Sequence, residues 1–153
     1  MDPHLREKIV TRLQSRGLRM THQRSAIIDA AFSTTDHYTA EQLLAAARKT
    51  DPSVSRATIY RTLPLLVETG LLHELDLGKD HKVYDPNYAT HPTHNHLICV
   101  DCHKIVEFED DQLEEWENRI TQKLGFRPTS KHLRIEASCE QLKTAGACKN
   151  ACK

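Results

Sequence analysis

Residues 94–110, HNHLICVDCHKIVEFED, concentrate the side chains that bind metal ions. Cys99 and Cys102 form a CVDC knuckle, a spacing that lets two thiolates reach one ion in tetrahedral geometry. Three more cysteines, Cys139, Cys148 and Cys152, lie near the C-terminus. A four-sulfur site needs a second contribution from elsewhere in the chain, and Cys139 with Cys148 is the expected completion, with Cys152 as a substitute or a spare reactive thiol. Such a site would tie the last strand of its domain to the first, and structural zinc at a small site contributes on the order of 10 kcal/mol of apparent binding. A redox pair at Cys99 and Cys102 lacks the strand-to-helix context of a thioredoxin-like site.

His94 and His96 offer a different chemistry. Two residues apart in an extended chain, their rings lie on one side and can grip one ion, and Glu107 on the next predicted strand adds a carboxylate. Imidazole with carboxylate suits Fe(II), Mn(II) or Zn(II), whereas four thiolates suit zinc, so the segment is expected to hold two distinct sites. His37, Asp85 and His91 are further ligand types close to a predicted domain boundary, and an ion gripping both domains would act as a switch on their orientation. A zinc hydrolase with Glu107 as general base is a function of another class, but no other catalytic constellation accompanies it, and the chain is expected not to be an enzyme.

Two kinds of domain must position these groups. Leu5, Ile9 and Leu13 recur at helical spacing and Gly17 can close that helix. Thr21 can cap a second helix, and Thr39 with Gln42 makes a capping box for a third. A fourth is predicted from about Ser55 to Thr69, ending at Gly70. The segment LLHELDLGKDHKVYD then reads as a β-hairpin turning at GKDH, completing a winged helix-turn-helix domain over residues 1–84. The composition changes to DPNYATHPT over residues 85–93, the predicted boundary. Residues 94–153 are expected to form an α/β domain. Its strands are HLICV, KIVEF and an alternating HLRIEAS. Its helix spans Asp111 to Leu124, with Leu113, Trp116 and Ile120 inward, and the tail KTAGACKNACK is expected to be loose apart from its cysteines.

The 153 residues carry no net formal charge, so overall charge gives no sign of nucleic acid. Local charge does. Five basic residues and no acid lie between Lys8 and Ile28, and seven acids and no base between Glu107 and Glu117, which can create oppositely charged faces. In the fourth helix Ile59, Leu63 and Leu66 share one face, with Ala57 and Arg61 opposite and Thr58 and Tyr60 at the flanks. Short side chains with a cation and an apolar edge suit a helix entering a major groove. Pro64 removes one backbone hydrogen bond and costs about 3 kcal/mol in a helix interior, but it lies on the outward side, where a bend is tolerated. The recognition helix and wing argue against a metal-storage or protein-interaction module without DNA. No stretch approaches the roughly 20 apolar residues of a membrane span, and MDPHLREKIV lacks the apolar run of a signal peptide. The expected location is cytoplasmic, where five cysteines are not a disulfide framework.

These features together resemble the ferric uptake regulator family of bacterial metal-dependent repressors. The likeness rests on GLRMTHQR, HYTAEQL, SRATIYRTL, HNHLICVDC, IVEFED and a cysteine after the last strand. It implies a winged-helix domain, a hinge and an α/β dimerisation domain, in a homodimer that binds AT-rich inverted repeats when a regulatory metal is present. It implies a regulatory site of His37, Asp85, His94, His96 and Glu107, and structural zinc at Cys99, Cys102 and Cys139. Tyr60 and Arg61 would touch the major groove, and Arg19 the narrow minor groove. Where many members carry a second histidine-rich site this chain has Thr93, Asn95 and Lys131 beside Glu114, which implies that the site is absent. Asp85 is typical of the peroxide-sensing branch and Glu107 of iron-sensing members. The expected regulator is Fe(II), with peroxide sensing through bound Fe(II) as the close alternative and zinc or manganese sensing ranked lower.

Overall fold

The computed structural model describes residues 3–77, 82–89, 94–129 and 131–146. The expected hairpin turn at residues 78–81 lies outside them, as do His91, Thr93, Cys148 and Cys152. The chain divides into two compact units, Met1–Pro92 and Thr93–Lys153. No described helix is long and apolar enough to cross a membrane.

The first unit runs α1 (Pro3–Ser15), α2 (His22–Ala31), α3 (Ala40–Thr50), α4 (Arg56–Glu68), β1 (His73–Asp76) and β2 (Lys82–Asp85). The helix starts follow local chemistry. The Thr21 hydroxyl accepts from the Arg24 amide, Thr39 and Gln42 exchange both capping-box bonds, and Ser55 accepts from the Thr58 amide. Each cap satisfies an amide that has no partner within its helix. Helix α1 is followed by Gly17 at φ 70°, a left-handed turn that costs glycine little. Ile9, Leu13, Ile27, Leu43, Ile59, Leu63, Leu66, Leu71 and Leu72 are fully buried in one core. Helix α4 runs through Pro64, which is exposed, so the missing hydrogen bond falls on the outer side. Strands β1 and β2 pair antiparallel, Leu75 opposite Val83, and an isolated bridge joins Tyr38 to Tyr84.

The second unit contains β3 (Asn95–Cys99), β4 (Ile105–Phe108), α5 (Asp111–Lys123), β5 (Arg134–Ala137) and α6 (Glu140–Ala145). Its sheet has the order β4-β3-β5, with β3 antiparallel to β4 and parallel to β5. The last strand thus lies beside the first, as a shared thiolate site requires. Three expectations need correction. Trp116 is 52% exposed and α5 has no buried residue, because the described part of the chain supplies no element to cover that face. β5 does not alternate, since Arg134, Ile135 and Glu136 are all exposed. The tail is not wholly loose, because α6 follows β5 directly and closes at Gly146 in a left-handed conformation.

Candidate metal centres and DNA-reading surface

The knuckle begins where β3 ends. The Cys99 amide donates to the Lys104 carbonyl and the His103 amide to the Cys99 carbonyl, both at 2.9 Å. His103 takes the left-handed conformation, φ 57°, that lets so short a loop return. On the other side of β3, Cys99 is paired with Ala137, and Cys139 follows two residues later. One sulfur each from Cys99, Cys102 and Cys139 lies within 4.8 Å of the others. Thiolates bound at about 2.3 Å in a tetrahedron sit about 3.8 Å apart, so the three sulfurs fit one zinc ion. The backbone amide of Cys102, then that of Asp101, hold the Cys99 thiol below the usual thiol range against the opposing effects of burial and of the Asp101 charge. That favours the thiolate a metal needs.

In the same unit His94 and His96 are buried, their Nε2 atoms 3.1 Å apart and their rings at 71°. That separation is that of two donors in adjacent positions on one ion with bonds of about 2.1 Å. Glu107 faces His96 across the antiparallel pair, with ligand atoms within 4.8 Å. In the first unit, the Tyr38 to Tyr84 bridge sets His37 opposite Asp85, with backbone bonds of 3.2 and 2.8 Å on either side and ligand atoms within 4.8 Å. Asp85 is completely buried, and its Oδ1 accepts from the Asn87 amide at 2.7 Å. Burial of Tyr38, with the Asp85 charge second, pushes its phenol above the ordinary range, so this aromatic packs as a neutral group. Imidazole and carboxylate pairs of this kind fit a borderline divalent cation.

The Lys131 ammonium lies 3.5 Å from Glu114 Oε1, 3.4 Å from Glu117 Oε2 and 3.5 Å from Asn118 Oδ1. A resident cation therefore sits among the acids where a second histidine-rich site would need an ion.

On α4, Ala57, Tyr60 and Arg61 are exposed while Ile59, Thr62, Leu63 and Leu66 are buried. Arg19 is exposed in the loop between α1 and α2, its carbonyl accepting from the Arg24 guanidinium. Thr58 is half-buried at the flank of that exposed face, as expected. Its hydroxyl donates to Gln23 Oε1 at 2.8 Å, and Gln23 Nε2 donates to the Ser53 carbonyl at 2.8 Å. Gln23 thus joins α2 to the turn and start of α4, a role no local pattern in the sequence signals. Glu41 was also missed. Its carboxylate pairs with Arg56 at 3.0 Å and lies 3.5 Å from the Tyr60 hydroxyl.

Residues 15–136 match the family model described as the ferric uptake regulator family. The chain is 37% identical over 129 residues to the ferric uptake regulation protein of Synechococcus elongatus, covering 83% of this chain and 87% of that protein. It is 34% identical over 143 residues to the peroxide-responsive repressor PerR of Staphylococcus epidermidis, covering 94% and 93%. The fold superposes with a TM-score of 0.80 on the Helicobacter pylori ferric uptake regulator, at 23% identity over 94% of this chain and 95% of that one.

Proposed function

From the premise that this chain belongs to the ferric uptake regulator family, we propose that it is a transcriptional repressor whose DNA binding is switched by Fe(II). At the level of the family, the chain is a metal-dependent DNA-binding regulator and not an enzyme, so the hydrolase reading falls. The observation that carries the finer reading is the pairing of ligands inside each unit: His37 with Asp85, and His96 with Glu107, with His94 beside His96. We assign these five residues to the regulatory ion and Cys99, Cys102 and Cys139 to structural zinc. Bound zinc would cross-link the sheet at the three thiolates, and Fe(II) at the histidines and carboxylates would supply a positive charge on which DNA binding depends.

The protein's own groups do the rest. The buried imidazoles hold their donors with little rotational freedom, the carboxylates balance the ion's charge, and β2 carries Asp85 directly from the wing. Ala57, Tyr60 and Arg61 are assigned to the major groove and Arg19 to the minor groove of an AT-rich inverted repeat. Inverted repeats imply a two-fold homodimer, and Val106 and Ile135, exposed on β4 and β5 either side of β3, are apolar surface for such an interface. The location proposed is the cytoplasm.

Asp85 favours one second reading, peroxide sensing, given the likeness to PerR. The test is anaerobic loading with Fe(II), measurement of operator binding, and addition of a slight excess of hydrogen peroxide with intact-mass analysis. Binding that tracks Fe(II) at unchanged mass supports the iron reading. A gain of one oxygen atom on a peptide holding His37, His94 or His96, with loss of binding, supports peroxide sensing instead. Binding indifferent to metal removes the switch.

A further inference from the structure

Between the two knuckle cysteines stands Asp101, whose side chain takes no part in the metal set. The parallel pairing of β3 with β5 ends at Cys99 opposite Ala137, and the Val100 amide still donates to the Ala137 carbonyl at 3.0 Å. Past Val100 the chain leaves the ladder, because it must turn back for His103 to reach the Cys99 carbonyl. No β3 backbone then runs beside Cys139. Its amide instead donates to Asp101 Oδ2 at 2.6 Å, across 38 residues of sequence. Cys139 is the residue that leads into α6, so the position of its backbone bears directly on where its sulfur lies.

We propose that Asp101 is a positioning residue for the structural zinc: its carboxylate replaces the missing strand and holds Cys139 level with Cys99 and Cys102. The inference rests on the zinc reading above. What acts is the acceptor oxygen, because the bond runs from the Cys139 backbone amide to Oδ2. Asn at this position, whose amide oxygen can accept the same bond, is therefore expected to preserve the site, and Ala to weaken it. Loss of an outer partner of a metal ligand typically costs about 10- to 100-fold in affinity.

The experiment uses full-length wild type, Asp101→Asn and Asp101→Ala. Zinc content is measured first, then zinc release to a chromogenic chelator, the thiolate charge-transfer band after Co(II) substitution, and far-ultraviolet circular dichroism. Wild type and Asp101→Asn are expected to retain zinc alike, while Asp101→Ala releases it about 10-fold faster or more with a weakened Co(II) band and unchanged helix content. Wild-type retention and an undiminished band in Asp101→Ala overturn the proposal. So does Asp101→Asn behaving as Asp101→Ala, which would assign the effect to charge. Wild type purified without zinc removes the zinc reading itself, and that result precedes any variant. If Asp101→Ala does not fold, hydrogen exchange at the Cys139 amide in wild type decides: slowed exchange is expected, and exchange at the unprotected rate overturns the proposal.

Discussion

Single side chains divide here into groups that bind and groups that set the binders in place. His96 is buried, within 3.1 Å of the His94 nitrogen and in register with Glu107, so removing it deletes a central donor of the proposed regulatory ion without touching the thiolates. The expected outcome for His96→Ala is loss of metal-stimulated operator binding by 10-fold or more, on the order of 1.4 kcal/mol, with zinc content unchanged by elemental analysis. Arg61 is exposed on α4. Arg61→Ala is expected to cost about 1–3 kcal/mol of operator binding while leaving the melting temperature within a degree or two. A fall in stability equal to the fall in affinity would instead make Arg61 a structural residue.

At the scale of elements, what matters is how α4 is held. Its buried face packs Ile59, Leu63 and Leu66 into the core, and its start is pinned by the Gln23 bridge to Thr58 and Ser53. Core packing supplies most of the stability, and Leu63→Ala is expected to cost about 2–5 kcal/mol in urea unfolding. The bridge supplies orientation. Gln23→Ala removes the exposed or half-buried hydrogen bonds to Thr58 and to the Ser53 carbonyl and hydroxyl, a loss of about 1–2 kcal/mol, yet it frees the recognition helix to shift against α2. Operator affinity should therefore fall by more than stability does, as titration and melting of the same variant will show. Helix starts were legible in the sequence because a cap joins residues three apart, as at Thr39 and Gln42. The Gln23 bridge was not, because its partners lie 30 and 35 residues away.

Across the whole molecule the two units differ in what holds them together. The apolar core cluster lies entirely in the first unit. Among the described residues of the second, Ile98 and Cys99 are the buried hydrophobics, while Leu124 and Phe126 are 66% and 72% exposed. So thin a core needs a metal or a partner surface to be stable. Stripping zinc with a strong chelator is expected to melt the second unit while the helices of the first persist, giving two separate transitions in circular dichroism. A single transition would mean the units unfold together. Operator binding, which we assign to Arg19, Arg61 and their neighbours, should weaken steeply with salt, and a flat salt response would argue against phosphate contacts.

The sequence determined the features that depend on near neighbours: the caps at Thr21, Thr39 and Ser55, the buried stripe of α4, the CVDC knuckle and the paired histidines. These follow from spacings of two to four residues, which fix which side chains share a face or a turn. Tertiary structure alone decided that β5 runs parallel beside β3, that Asp101 receives the Cys139 amide, that Lys131 sits among acids, and that Trp116 faces outward. Each of these depends on chain segments far apart in sequence, or on a covering surface the described residues do not contain. An amphipathic pattern specifies that a face should be covered, and only the packed chain specifies by what.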